Sequence, residues 1–236
     1  MKTRLIAFLF ILALAGTIFA ARDARHAAGK PAIHLRLNSA VGLEPMNGGL
    51  KVVAYRGRQA LQLVPLAGHE QSDDSMLAVV TGSDFQDGTI ELEVAGAPRK
   101  DAAPNMRGFI GLAFRMQGQG SKTEMFYLRP SNARSDDQLQ RNHSVQYVSD
   151  PDYGWKRLRA ESPGVYESYA DMEPGAWTKM KIVVQGARAK LYVNGAAEPC
   201  LVVNDLKLGE SRGQIALWAH STTEAYFSSL TVSPVP

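Results

Sequence analysis

One cysteine among 236 residues excludes any intrachain disulfide. That residue, in Cys200-Leu201-Val202-Val203, has no neighbouring His to lower its pKa, so it reads as a small buried hydrophobe and not as a nucleophile. Excess charge of either sign is also missing. Lys+Arg number 26 against Asp+Glu 23, and setting aside Lys2 and Arg4 with the leader argued below leaves 24 against 23. A chain so near neutrality has no basic face, which excludes nucleic acid as an expected partner. No window places apolar residues at i, i+3, i+4, i+7 over three turns, which excludes a helical architecture. The 5 His never pair at i, i+4 and no His-Glu-x-x-His occurs, so no zinc site is expected. No Gly-x-Ser-x-Gly elbow is present, and Gly120-Ser121-Lys122-Thr123 lacks the glycine spacing of a phosphate loop.

Long apolar runs are absent but for one. Leu5 to Ala20 carries no charge, follows Lys2 and Arg4, and gives way to Ala21, Arg22 and Asp23. The run is short for a helix crossing ~30 Å of hydrocarbon, which takes ~20 residues. Its layout is that of a cleaved secretory signal, with the cut after Ala20 or Ala21. The expected organisation is a signal peptide over 1–20, a flexible leader over 21–30 and a single β-sandwich domain over 31–236. The mature chain is expected to be secreted or periplasmic, with no membrane span.

What is abundant is alternation. Ile90, Leu92 and Val94 alternate with Glu91 and Glu93; Ile110, Leu112 and Phe114 with Gly111, Ala113 and Arg115; Met180, Ile182 and Val184 with Lys179, Lys181 and Val183. Leu50-Lys51-Val52, Phe126-Tyr127-Leu128, Leu191-Tyr192-Val193 and Ile215-Ala216-Leu217 continue the pattern. Turn residues punctuate it at Asn47-Gly48-Gly49, Asp87-Gly88, Gln185-Gly186 and Asn194-Gly195, within a total of 21 Gly and 12 Pro. The expected fold is all-β, a two-sheet antiparallel β-sandwich of jelly-roll type. Ile110, Leu112, Phe126, Leu128, Ile182, Val184, Leu191, Val193, Ile215, Leu217 and Phe227 are its expected core. Ser131–Pro174, rich in Asp, Arg, Ser and Tyr, is expected to be a long irregular excursion over one face.

The order Gly175-Ala176-Trp177-Thr178-Lys179, Lys190-Leu191-Tyr192-Val193-Asn194-Gly195, Gly213-Gln214-Ile215-Ala216-Leu217-Trp218 and Tyr226-Phe227 resembles the concanavalin A-like lectin/glucanase superfamily, including its laminin-G-like modules. The middle blocks, Phe114-Arg115, Phe126-Tyr127-Leu128-Arg129-Pro130 and Ser144-Val145-Gln146-Tyr147, resemble its 3-keto-disaccharide hydrolase branch. That resemblance implies matches at Arg115, Arg129 and Gln146. Ser144 stands where the branch has Glu, and the Asp that follows the Gln strand falls near Ser149-Asp150.

By strand phase, Arg115, Tyr127, Arg129 and Gln146 are expected to project from one open face, joined by Trp218 and His220 and roofed by Trp155 and Tyr153. Aromatic rings and planar polar groups suit sugars, so a glycan or glycoside is the expected partner. Three readings remain. An exported carbohydrate-binding module rests on the missing Glu and the lack of an assured carboxylate pair. A glycoside hydrolase of the 3-keto-disaccharide type rests on Arg115, Arg129 and Gln146; Asp150, Asp152 and the other acids of the excursion are its candidate acids. A protein-binding laminin-G-like module is the third reading. No cofactor is expected. Asp150-Pro151-Asp152-Tyr153-Gly154 has the opening acidic spacing of a calcium loop without its terminal Glu, which leaves calcium as the alternative to a plain turn.

Overall fold

Alternating apolar residues need a second layer to cover them, and two antiparallel sheets supply it for each other. The computed structural model describes residues 31–235; the expected signal peptide, leader and cleavage site lie outside them. The larger sheet has 8 strands. Its path runs through β13 (Leu201–Val203), β12 (Arg188–Val193), β11 (Thr178–Gln185), β6 (Gly88–Pro98), β15 (Thr223–Pro234), β4 (Arg58–Val64) and β3 (Gly49–Tyr55), with β1 (Ile33–Arg36) pairing β15. The smaller sheet has 7, in the order β10 (Glu167–Ser168), β9 (Val145–Asp150), β8 (Lys122–Leu128), β7 (Ile110–Gln117), β14 (Gln214–His220), β5 (Ser75–Val80) and β2 (Leu43–Met46). No described helix is long and apolar enough to cross a membrane.

Every residue of the expected core is buried. Phe114 and Phe126 stack with ring centroids 6.0 Å apart, and Phe85 meets Phe114 edge-on at 6.4 Å. Burying each such ring contributes about 1.5–3 kcal/mol. Two details depart from simple alternation. Val52 is in phase with the core, opposite Leu61, yet is 47% exposed, because β3 ends the larger sheet and overhangs its partner. In β15 a bulge between Phe227 and Ser229 moves the buried phase from Ala225 and Phe227 to Leu230 and Val232.

β7, β8, β9 and β14 are buried on both faces. Their inner face joins the core, and the excursion covers the outer one. That excursion is more regular than its composition suggests: it holds β9, β10, α1 (Pro130–Ala133), α2 (Gln138–Arg141) and α3 (Trp155–Glu161). Pro130 opens α1, and Asp137 caps α2 by accepting the Leu139 amide at 2.8 Å.

Candidate functional site

The outer face of the smaller sheet carries a cleft of about 640 Å³. Register builds its floor. Tyr127 of β8 and Trp218 of β14 both lie opposite Gly111 of β7, the strand between them. Gly111 has no side chain to separate the two rings, whose centroids are 5.1 Å apart. A Cβ there would lie 2.1 Å from the Phe126 carbonyl oxygen and 2.8 Å from the Tyr127 Cβ. Phe109, two residues before Gly111 and in the same phase, extends the floor to Tyr127 at 6.2 Å and to His220 at 5.4 Å.

One end of the cleft is basic. Arg129, just past β8, donates to the Tyr127 hydroxyl at 2.9 Å and to the His143 carbonyl at 3.1 Å. Trp155 and Arg159, four apart on α3, share a face, with the guanidinium 4.8 Å from the indole. Arg159 grips both oxygens of Glu167, at 2.6–3.2 Å. The same carboxylate lies 3.8 Å from Arg129 and 3.1 Å from His143 Nε2. Burial pushes the His143 pKa down, against the pull of Glu167. Burial likewise raises the Tyr127 pKa, so its phenol stays a neutral acceptor for Arg129.

The far end is different. His220 reaches Asp73 through Nε2 at 2.9 Å and Thr222 through Nδ1 at 2.8 Å, so both ring nitrogens are engaged. Asp150, at the end of β9, puts a carboxyl into the cleft wall with no hydrogen bond or ion pair among the described residues. Burial alone raises its pKa. Trp218 Nε1 and Asn132 Oδ1, on lining residues, also lack a partner within the described chain. Unpaired buried polar atoms cost about 1–3 kcal/mol each, a penalty that a polar ligand could offset.

Tyr127, Arg129, Trp155, Trp218 and His220 therefore meet in one cleft. Three expected members do not line it. Gln146 shares the face, opposite Tyr127, but is 1% exposed and donates to the Tyr147 and Tyr166 carbonyls beside β10. Arg115 leaves the face altogether. A bulge between Phe114 and Gln117 gives it φ 50°, and its side chain turns to the end of the sandwich. There it is fully buried, donating to the Gln86, Gly186 and Gly209 carbonyls and to Asp87. Tyr153, expected in the roof, packs against Arg157 and Lys207 instead.

The residues that sequence reasoning missed are Phe109, Arg107, His143, Lys156 and Arg159. Phe109 had a signal in the phase of β7, and Arg159 in its spacing of four from Trp155. Glu167 was one of the candidate acids of the excursion, but a two-residue strand shows no period that would place it beside the cleft. Cys200 is partly buried, its thiol donates to the Leu191 carbonyl at 3.4 Å, and burial pushes its pKa up to about 11. A second groove, of about 400 Å³ on the outer face of the larger sheet, is self-compensated: Lys179 and Lys181 lie opposite Glu93 and Glu91.

Residues 47–233 match the family described as 3-keto-alpha-glucoside-1,2-lyase-like domain. No curated protein matches the chain. Among solved structures the fold is similar to carbohydrate binding module CBM66 from Bacillus subtilis, with a TM-score of 0.55 at 16% identity over 81% of this chain and 96% of that one. It is also similar to the exoplasmic/lumenal domain of VIP36 bound to Ca2+/Man3GlcNAc, with a TM-score of 0.53 at 10% identity over 87% and 88%. The Crh5 transglycosylase in complex with NAG gives 0.53 at 11% identity over 87% and 84%. The two-sheet arrangement is thus of the concanavalin A-like kind.

Proposed function

The chain belongs to the 3-keto-alpha-glucoside-1,2-lyase-like family, and from that membership and the signal-like run Leu5 to Ala20 we propose that it is an exported protein whose cleft over β7, β8, β9 and β14 recognises a glycoside. The observation that carries the reading is the floor of Tyr127, Trp218 and Phe109 edged by Arg129, Trp155 and His220. Aromatic faces stack on the apolar C–H faces of a sugar ring, and the charged rim supplies donors and acceptors for its hydroxyls. The similar folds that carry carbohydrate in their names support the reading. Calorimetric titration with methyl α-glucoside and its 3-keto counterpart tests it. Trp155→Ala is expected to weaken binding about tenfold, the loss of roughly 1.4 kcal/mol. Equal affinity in the wild-type and Trp155→Ala chains would move the ligand elsewhere.

Asp150 favours a second reading, in which the bound glycoside is cleaved. A ketone at C3 acidifies the C2 hydrogen. A carboxylate takes that proton, the C2–H electron pair forms a C1=C2 double bond, and the C1–O bond breaks with its electrons going to the departing alcohol, which gains a proton. Asp150 is desolvated and free of internal partners, and a raised pKa strengthens a carboxylate as a base. Product analysis on the 3-keto substrate is expected to show the unsaturated sugar with the wild-type chain and none with Asp150→Asn.

A further inference from the structure

The basic end of the cleft holds more positive charge than its acids answer. Three cations surround the Trp155 ring: Arg159 at 4.8 Å, Lys156 at 5.6 Å and Arg129 at 5.9 Å. Arg107 lines the same cleft, its Nη1 held by the Pro104 and Met106 carbonyls. Glu167 lies among these cations, and both its oxygens are already bound to Arg159. Lys156 and Arg107 make no ion pair among the described residues. Asp73 is engaged with His220 at the far end, and Asp150 makes no ion pair with any of these cations among the described residues. A neutral sugar would leave these like charges facing one another in a partly desolvated cleft, where repulsion is poorly screened.

We propose that the cleft selects an acidic glycoside, one whose ring carries a carboxylate or a sulfate ester, seated with its anionic group against Lys156, Arg107 and the Arg129–Arg159 pair. The proposal rests on the glycoside reading and adds the substrate class. Arg and Lys donors meet an anionic oxygen in charge-assisted hydrogen bonds, the strong kind, and an anion supplies the negative charge that the cleft lacks.

The test is titration of the whole chain with three probes: methyl α-glucoside, methyl α-glucuronide and methyl α-glucoside 6-sulfate. At least one anion is expected to bind about tenfold tighter than the neutral sugar or better, and the better of the two identifies the acid. The advantage is expected to shrink as salt is raised. Lys156 is exposed, so Lys156→Gln leaves folding intact; it is expected to reduce the acidic-to-neutral ratio, and Lys156→Arg to restore it. Equal affinity for all three probes would overturn the proposal while leaving the glycoside reading standing. So would an anion preference that survives both high salt and Lys156→Gln. Binding of none of the three, nor of their 3-keto counterparts, would overturn both.

Discussion

At the scale of single residues, Asp150 has the clearest thermodynamic signature. Burial raises its pKa above the ordinary 3.8. Between that value and the raised one, the native state keeps a proton that the unfolded chain has released. Its contribution to stability is therefore full below the unfolded value and is lost as pH rises through the folded one. Asp150→Asn is expected to raise the melting temperature at about pH 7 and to leave it unchanged at about pH 3. A melting temperature that drops at both would mean that the carboxyl has a partner and is structural. Strand phase made Tyr127, Trp218 and His220 legible as neighbours, because their strands are regular where they sit. It failed on accessibility. Arg129 and Gln146 were expected on an open face, yet they are 5% and 1% exposed and hydrogen-bonded beneath the excursion. Alternation tells which face a side chain takes and is silent on what covers that face.

At the scale of elements, bulges decide what alternation cannot. Arg115 has the same parity as Gly111 and Ala113, so an unbroken β7 would turn it towards the cleft. The left-handed backbone there reverses it, and the guanidinium ties the ends of both sheets together through Gln86, Asp87, Gly186 and Gly209. Nearby Glu124, also fully buried, accepts the Tyr147 hydroxyl and the Leu208 amide, which fixes the loop before β14. Burial lowers the Arg115 pKa and raises that of Glu124. Arg115 pairs with Asp87 at 3.0 Å, and removing one partner from a buried ion pair costs about 3–5 kcal/mol. Arg115→Met is therefore expected to shift the urea midpoint strongly downward, while glycoside affinity is retained at temperatures where the variant is folded. Unchanged stability with lost affinity would return Arg115 to the binding face. β10 is the other element that the sequence concealed. It sets Glu167 opposite Gln146 and delivers a carboxylate to the basic end of the cleft. Ser144, at the position where the resemblance led one to look for that acid, accepts the Ala170 amide at 2.8 Å.

At the scale of the whole molecule, the smaller sheet works on both sides. Its inner face presses Phe114, Phe126 and Tyr147 against the larger sheet, and its outer face carries Tyr127, Trp218 and the basic cluster. The inner face was read from sequence with little loss, since burial there demands apolar residues at every second position. The outer face was read only in part, since ligand chemistry tolerates mixed residues and the roof comes from short helices without a measurable period. This division separates stability from binding. Phe126 is fully buried in the inner stack, whereas Trp155 stands 40% exposed on α3. Phe126→Ala removes a ring from a close-packed site and is expected to cost about 3–5 kcal/mol. That is a large part of the roughly 5–15 kcal/mol that holds such a domain folded. Trp155→Ala is expected to change stability by about 1 kcal/mol or less, since no core packing depends on the ring. Urea unfolding of the two variants measures both. If Trp155→Ala fell as far as Phe126→Ala, α3 would be part of the folding core, and the weakened sugar binding of that variant would reflect lost structure and not a lost contact.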